Sequence, residues 1–180
     1  LANDDDFINF LPQANSVMLP DSCIFVCGSH QTIHVWRTMV DKIFKYKNLI
    51  VWKKNNWSMG DLSGAFAGQH ELIIFAHKGR TTLRGERSRD VWEFDRDPPE
   101  NHPTQKPVQL VEFAITKTTD VGAIVFDPFG GSGTTLIAAA QTGRIARVIE
   151  LDPRYCDVIR RRWTRWAKEH GKPVGSGGLE

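Results

Sequence analysis

The sequence predicts an α/β protein, and three observations carry that expectation. In the second half, apolar runs at 123–126 and 145–150 flank a glycine-rich turn, 127–133, and a helical stretch, 134–142. Strand, turn, helix and strand in that order make a βαβ unit, and such units imply a parallel sheet. The first half adds three runs of strand length, 22–27, 49–52 and 71–76. A chain of 180 residues is long enough to bury the core of one such domain.

The elements follow in order. Asn3, Asp4, Asp5 and Asp6 precede Phe7 and Phe10, as at a helix start where acidic residues meet the positive end of the dipole. The run 22–27 reads as a buried strand ending at Gly28. A helix over about 31–44 carries Ile33, Trp36, Val40 and Ile43 or Phe44 along one face. Strands at 49–52 and 71–76 enclose a polar, glycine-containing loop, 55–69. Residues 79–101 combine high charge with little periodicity, the pattern of an exposed loop or small insert. Pro107 suits the first position of a helix carrying Leu110, Val111, Ala114 and Ile115. Gly143 closes the helix 134–142. Asp152 caps a last helix that has Pro153 at its first position and runs to about His170. No internal repeat is visible.

Composition bounds the function classes. The formal net charge is only +2, but the basic residues cluster. Lys78, Arg80, Arg84, Arg87, Arg89 and Arg96 form one group, and Arg160, Arg161, Arg162, Arg165 and Lys168 another. Such clusters neutralise phosphates or form a solvated face. Three cysteines are no disulfide framework, so a reducing, cytoplasmic setting is expected. No apolar run reaches bilayer length and no signal-peptide pattern opens the chain, so no membrane partner is expected. Residues 175–180, Gly-Ser-Gly-Gly-Leu-Glu, read as a flexible tail or cloning remnant.

The strongest chemical signal is Asp127-Pro128-Phe129-Gly130-Gly131-Ser132-Gly133-Thr134-Thr135. Glycines let the backbone turn sharply after a strand and approach a ligand closely, and the helix that follows presents N–H groups. A phosphate-cradling loop needs a lysine after its last glycine, and none follows Gly133. The dinucleotide fingerprint needs a third glycine where Leu136 stands. Glu150, at the end of the next strand, can accept both hydroxyls of a ribose. These features outline a site for a nucleoside-type cofactor.

Three motifs in this order, Asn101-His102-Pro103-Thr104-Gln105-Lys106-Pro107, then 127–135, then Glu150-Leu-Asp-Pro-Arg-Tyr155, resemble the amino-group DNA methyltransferases. These methylate adenine N6 or cytosine N4. The order resembles the β-type permutation, in which the catalytic segment comes first. The resemblance covers nearly all of residues 1–172 and implies a Rossmann-like, mostly parallel sheet with helices on both faces. It implies a methyltransferase domain over 1–174, with 79–101 as a target-recognition insert.

The resemblance also implies roles. The cofactor would be S-adenosylmethionine, with Phe129, Gly131 and Gly133 along its methionine side and Asp127 near its amino group. Pro128, Gly130, Ser132 and Thr134 complete that loop, and Glu150 with Asp152 would hold the ribose end. His102, Thr104, Gln105, Lys106 and Pro107 would close over the methionine end, with Lys106 reaching the cofactor carboxylate. The partner would be double-stranded DNA whose target base leaves the stack. Methyl transfer to its exocyclic amine would follow, adenine N6 being favoured over cytosine N4, and it would rely on positioning without metal or covalent nucleophile. A homodimer is one assembly the family allows.

Two departures matter. The family's catalytic tetrapeptide, Asp/Ser/Asn-Pro-Pro-Tyr/Phe/Trp, would stand ahead of the helix near Asn3, so this chain is expected to be a fragment inactive alone. Its catalytic residues are therefore unassigned. Asp97-Pro98-Pro99-Glu100 lacks the aromatic residue and falls at the wrong place in the order. Val148 stands where many relatives carry glycine.

Residues 51–79 would line the target-base side. Trp52, Trp57 and Phe66 suit stacking or wedging, although each also suits a core. Lys53, Lys54, Asn55 and Asn56 suit phosphates or a base edge. Arg80, Arg84, Arg87 and Arg89 fall where the family reads its target. Cys23, Cys27, His30 and His34 superficially match zinc-ligand spacing, but the cysteines would lie on a buried strand and the histidines on a helix, so no metal is expected. Two rivals remain: a cofactor- and DNA-binding module without catalysis, and a nicotinamide-dependent oxidoreductase built on the same glycine turn.

Overall fold

The computed structural model describes residues 10–57, 59–96 and 105–174. They divide between two compact units, Leu1–Asp95 and Arg96–Glu180, each with its own sheet and core. The helix start expected at Asn3–Asp6, the run 97–100, His102, Thr104 and the tail lie outside the described residues.

The first unit contains α1 (Phe10–Val17), β1 (Ser22–Gly28), α2 (Ile33–Ile43), β2 (Lys45–Lys53), β3 (His70–Lys78) and β4 (Val91–Glu93). Its sheet has the order β1-β3-β2-β4. β3 lies inside the sheet and is buried from Leu72 to His77, which is why it reads as an unbroken apolar run. It pairs antiparallel with both β1 and β2, while β4 runs parallel to β2. Three strands therefore point one way and β3 alone is reversed, so the α/β, Rossmann-like sheet is mostly parallel in strand direction. An apolar run carries no sign of its direction, and the reversal was not legible in the sequence.

Alternation sorts the side chains between the two faces. Ile74 and Ala76 join Leu11 of α1 and Val40 and Phe44 of the α2 end in one core, flanked by Ile24, Val26, Ile33 and Trp36. On the other face Phe25 stacks on its cross-strand partner Phe75 at 4.9 Å, with Trp92 6.2 Å from Phe25. A bulge in β2 between Tyr46 and Asn48 lets Tyr46 join the α2 core while Ile50 faces the other way, opposite Ile73. The Lys78 ammonium donates to the carbonyls of Asn15 and Met18, at 2.5 and 2.6 Å, and so closes the C-terminal end of α1.

Within 79–96 the structure places a strand that the sequence reads as loop. β4 is three residues long, too short to show a period. It is fixed by two indoles: Trp52 Nε1 donates to the Phe94 carbonyl at 2.8 Å, and Trp92 Nε1 to the Arg89 carbonyl at 2.9 Å.

The second unit contains α3 (Val108–Thr118), β5 (Ile124–Asp127), α4 (Thr134–Gln141), β6 (Ile145–Val148) and α5 (Pro153–Glu169). β5 and β6 are parallel, as the βαβ order predicts. Ile115 of α3 packs with Ala138 and Ala139 of α4 over Val125 and Ala146. Ile137, Trp166 and Ala167 join α4 to α5. Pro107 is the cap of α3 and not its first helical residue, because its ψ of 143° is extended. β6 ends at Val148, so Glu150 sits in the turn beyond the strand.

His77 is a buried titratable group in the first unit. Its Nδ1 accepts from the Thr81 N–H at 3.2 Å, so the proton is on Nε2, which has no partner among the described residues. Burial, and secondly Lys47, hold the imidazolium pKa below its ordinary value. The folded state thus disfavours protonation. Stability is full above the unfolded value of about 6.5 and is lost as pH falls through and below it. Thermal melts should show Tm flat above pH 7 and declining below about pH 6.5, with a shallower decline in His77→Asn, which keeps an acceptor near Nδ1.

Candidate functional site

The glycine-rich loop is built from Asp127 outward. β5 delivers this residue at its last position. Its Oδ1 accepts the Phe129 N–H at 3.0 Å, an Asx turn, and its Oδ2 accepts the Thr135 hydroxyl at 2.6 Å. One carboxylate thus ties the exit of the strand to the first turn of α4. The loop then lies directly on β6. Gly130 N–H donates to the Ile149 carbonyl at 2.8 Å, and a Cβ at Gly130 would stand 2.4 Å from Val148 Cγ1. Gly131 and Gly133 have φ of 52° and 80°, the left-handed region that favours glycine.

Glu150 straps this loop to the following turn. Its Oε2 accepts the Gly131 N–H at 2.6 Å and its Oε1 the Asp152 N–H at 2.9 Å. A carboxylate offers about four acceptor directions, so two backbone donors leave room for a diol. Asp152 caps α5 by accepting the Arg154 N–H at 2.9 Å. The Arg154 side chain, above all, and then that N–H hold the Asp152 carboxyl below its usual range. Arg154 is exposed and Asp152 half-buried, and the role of the pair is local capping.

The segment ahead of α3 reaches the same loop. Thr134 Oγ1 donates to the Lys106 carbonyl at 3.1 Å, and Arg162 Nη1 donates to Thr134 Oγ1 at 3.1 Å. Pro107 is fully buried. Gln105 is 7 % exposed, and its Oε1 has no hydrogen-bond partner among the described residues. A buried acceptor without a donor is costly unless a ligand or water supplies one. Left-handed glycines, a strapped acid with spare acceptors, a lone buried carbonyl and no lysine in the loop suit an uncharged ribose better than a phosphate. The residues present therefore fit a nucleoside-bearing cofactor.

The family model for N6/N4 methyltransferases, described as DNA methylase, matches residues 4–161. This chain belongs to that family. Similar curated proteins are the type II methyltransferase M2.DpnII of Streptococcus pneumoniae, 30 % identical over 83 % of this chain and 63 % of its own length, and M2.MboI of Moraxella bovis, 28 % identical over 89 % and 67 %. The chain thus spans about two thirds of the length of the curated relatives it matches. Solved structures share the fold. The M1.HpyAVI–SAM complex superposes with a TM-score of 0.77 at 23 % identity, covering 89 % of this chain and 84 % of that one. The cytosine-N4-specific PvuII DNA methyltransferase gives 0.77 at 18 % identity, covering 88 % and 70 %.

The remaining expected site residues separate into two groups. β1, β2 and β4 share a direction, and in open α/β sheets ligands bind beyond the carboxyl ends of the strands. Lys53, Lys54, Asn55 and Trp57 stand at that end of β2. Arg80 follows the far end of β3, roughly 27 Å away at about 3.4 Å per residue, where its N–H donates to Asp21. The chain returns through Arg84, Arg87 and Arg89 to β4, which enters the sheet with Val91 beside Val51, so Arg89 comes before the level of Val51 and Glu93 is the residue beside Lys53. Lys53 pairs with Glu93 at 3.1 Å and Lys54 with Glu71 at 2.7 Å. Trp52 is 1 % exposed and belongs to the core, whereas Trp57 and Phe66 are exposed. Among the described residues no three His, Cys, Asp or Glu side chains converge as a metal site, and no helix is long and apolar enough to cross a membrane.

Arg162 and Ile159 were missed as loop residues. Arg162 was hidden in the run Arg160-Arg161-Arg162, where only its spacing of three from Ile159 and four from Trp166 sets it apart. Close packing at Gly130 yields a direct expectation. Gly130→Ala should destabilise the chain by about 1–3 kcal/mol in denaturant titrations. Val148→Ala should recover part of that loss in the double variant, because Val148 Cγ1 is the nearest obstructing atom; the remainder reflects the Ile149 carbonyl and Ile159 Cδ1, each 3.2 Å from the added Cβ.

Proposed function

We propose that residues 105–107, 127–135 and 150–152 bind S-adenosylmethionine and that the protein transfers its methyl group to a DNA exocyclic amine, adenine N6 ahead of cytosine N4. The observation that carries this reading is Glu150, whose carboxylate straps the glycine loop through Gly131 and keeps acceptor positions for a ribose diol. Family membership and the complex of M1.HpyAVI with SAM support it. Bound here, the cofactor would supply an activated methyl group on sulfonium.

The chain's own residues have three tasks. Asp127 holds the loop closed, Glu150 orients the ribose, and Gln105 with Lys106 and Pro107 bounds the opposite side. DNA would approach the carboxyl ends of β1, β2 and β4. There the loop 54–69 presents Trp57, Met59, Leu62 and Phe66, all exposed, on a base closed by Lys54 and Gln69. Apolar and aromatic tips of this kind suit a base that has left its stack, or the gap behind it. Lys53 and Lys54 would meet phosphates or base edges nearby by exchanging their carboxylate partners, and Arg87 and Arg89, on the segment that enters β4, would extend that contact along the β4 edge. Arg80 falls outside this surface.

No Asp/Ser/Asn-Pro-Pro-aromatic tetrapeptide occurs within the 180 residues, so the chain alone should bind cofactor and DNA without turnover. Calorimetry should show S-adenosylmethionine binding and no NAD binding. Glu150→Gln should weaken the former by about 10- to 100-fold, as expected for losing hydrogen bonds to a charged acceptor. NAD binding without S-adenosylmethionine binding would replace this reading with an oxidoreductase. Labelled-methyl incorporation, scored separately for adenine and cytosine marks, would contradict the expected inactivity if it reached the rate of longer relatives.

A further inference from the structure

The arginines of α5 are of two kinds. Arg160 and Arg161 are exposed, and Arg160 pairs with Asp157 at 3.2 Å. Arg162 turns inward, on the helix side that carries Ile159 and Trp166. Its Nη1 donates to the Ser132 carbonyl at 3.2 Å, to Ser132 Oγ at 3.1 Å and to Thr134 Oγ1 at 3.1 Å. Ser132 and Thr134 are 4 % and 7 % exposed, so water competes little for these bonds.

The direction of the chain of bonds is fixed. The Thr134 hydroxyl has one proton, which goes to the Lys106 carbonyl at 3.1 Å, and so it accepts from Arg162. One guanidinium on α5 thereby grips the glycine loop, the start of α4 and, through Thr134, the segment entering α3. A cation beside a helix N-terminus opposes the dipole, and a well-packed apolar side chain would serve bare stability as well. What the guanidinium adds is geometry: it fixes Ser132 and Thr134 relative to Lys106.

We infer that Arg162 is a positioning residue for the cofactor, preassembling the part of the site formed by residues 132–134 and Lys106. This rests on the reading that the site binds S-adenosylmethionine. Glu150, the proposed ribose acceptor, is held by Gly131 and Asp152 and shares no bonded residue with Arg162. Losing Arg162 should therefore affect the part of the ligand beyond the nucleoside and spare the nucleoside itself.

The test is calorimetry on the whole chain with two probes, S-adenosylmethionine and adenosine. Arg162→Ala should weaken S-adenosylmethionine binding by about ten-fold or more and adenosine binding by less than about two-fold. Arg162→Lys, which keeps a charged donor, should recover most of the loss, and serves as the informative variant if Arg162→Ala does not fold. In a Thr134→Val background the same substitution should cost less, by the share carried by the Arg162–Thr134 bond, while the two bonds to Ser132 still count. Equal weakening of both probes, or none, in a folded Arg162 variant would overturn the inference. Failure of the unaltered chain to bind S-adenosylmethionine while binding adenosine would instead overturn the proposed function beneath it.

Discussion

The candidate site depends on a loop that has to lie flat against the next strand while its backbone is turned through left-handed conformations. Gly130 makes the first condition possible, because Val148 and the Ile149 carbonyl occupy the space any side chain would need. Gly131 and Gly133 make the second possible. Glycine, however, supplies freedom and no restraint, and a loop so composed loses much entropy when ordered. The order comes from outside the glycines. Asp127 clamps the two ends, Glu150 holds Gly131 from the β6 side, and Arg162 holds Ser132 and Thr134 from α5.

Those restraints are charged groups accepting from or donating to backbone and hydroxyl partners, the stronger class of hydrogen bond. They leave the carboxylate of Glu150 unsaturated and the Gln105 side-chain carbonyl without a donor among the described residues, so the loop is restrained yet the site retains hydrogen-bonding capacity. Rigidity set before a ligand arrives lowers the ordering cost of binding. The first unit solves a different problem. Its sheet buries an uninterrupted strand in the middle and extends a loop with four exposed apolar side chains at the carboxyl ends of its parallel strands.

Much of this was legible in the residues. The βαβ order gave the parallel pairing of β5 and β6, and the strand–glycine–helix spacing located the loop and the acid that follows. Family membership followed from the same motifs. Signals that need a long period were legible for the same reason: the apolar face of α2 and the continuous run of β3 repeat over several turns or residues. The strand Val91–Glu93 gave no such signal, because three residues cannot show a period and its pairing depends on two distant indoles.

The sequence by itself determined the fold class, the position of the glycine loop and the chemistry of its acidic partners, since these depend on local order and residue type. Only the tertiary structure decided that β3 runs backwards, that Trp52 is core while Trp57 and Phe66 are exposed, and that Arg80 lies at the opposite end of the sheet from Lys53. It alone separated Arg162 from its neighbours in a run of three arginines. Direction, depth and long-range partnership are set by which surfaces meet, and a linear pattern does not specify the meeting.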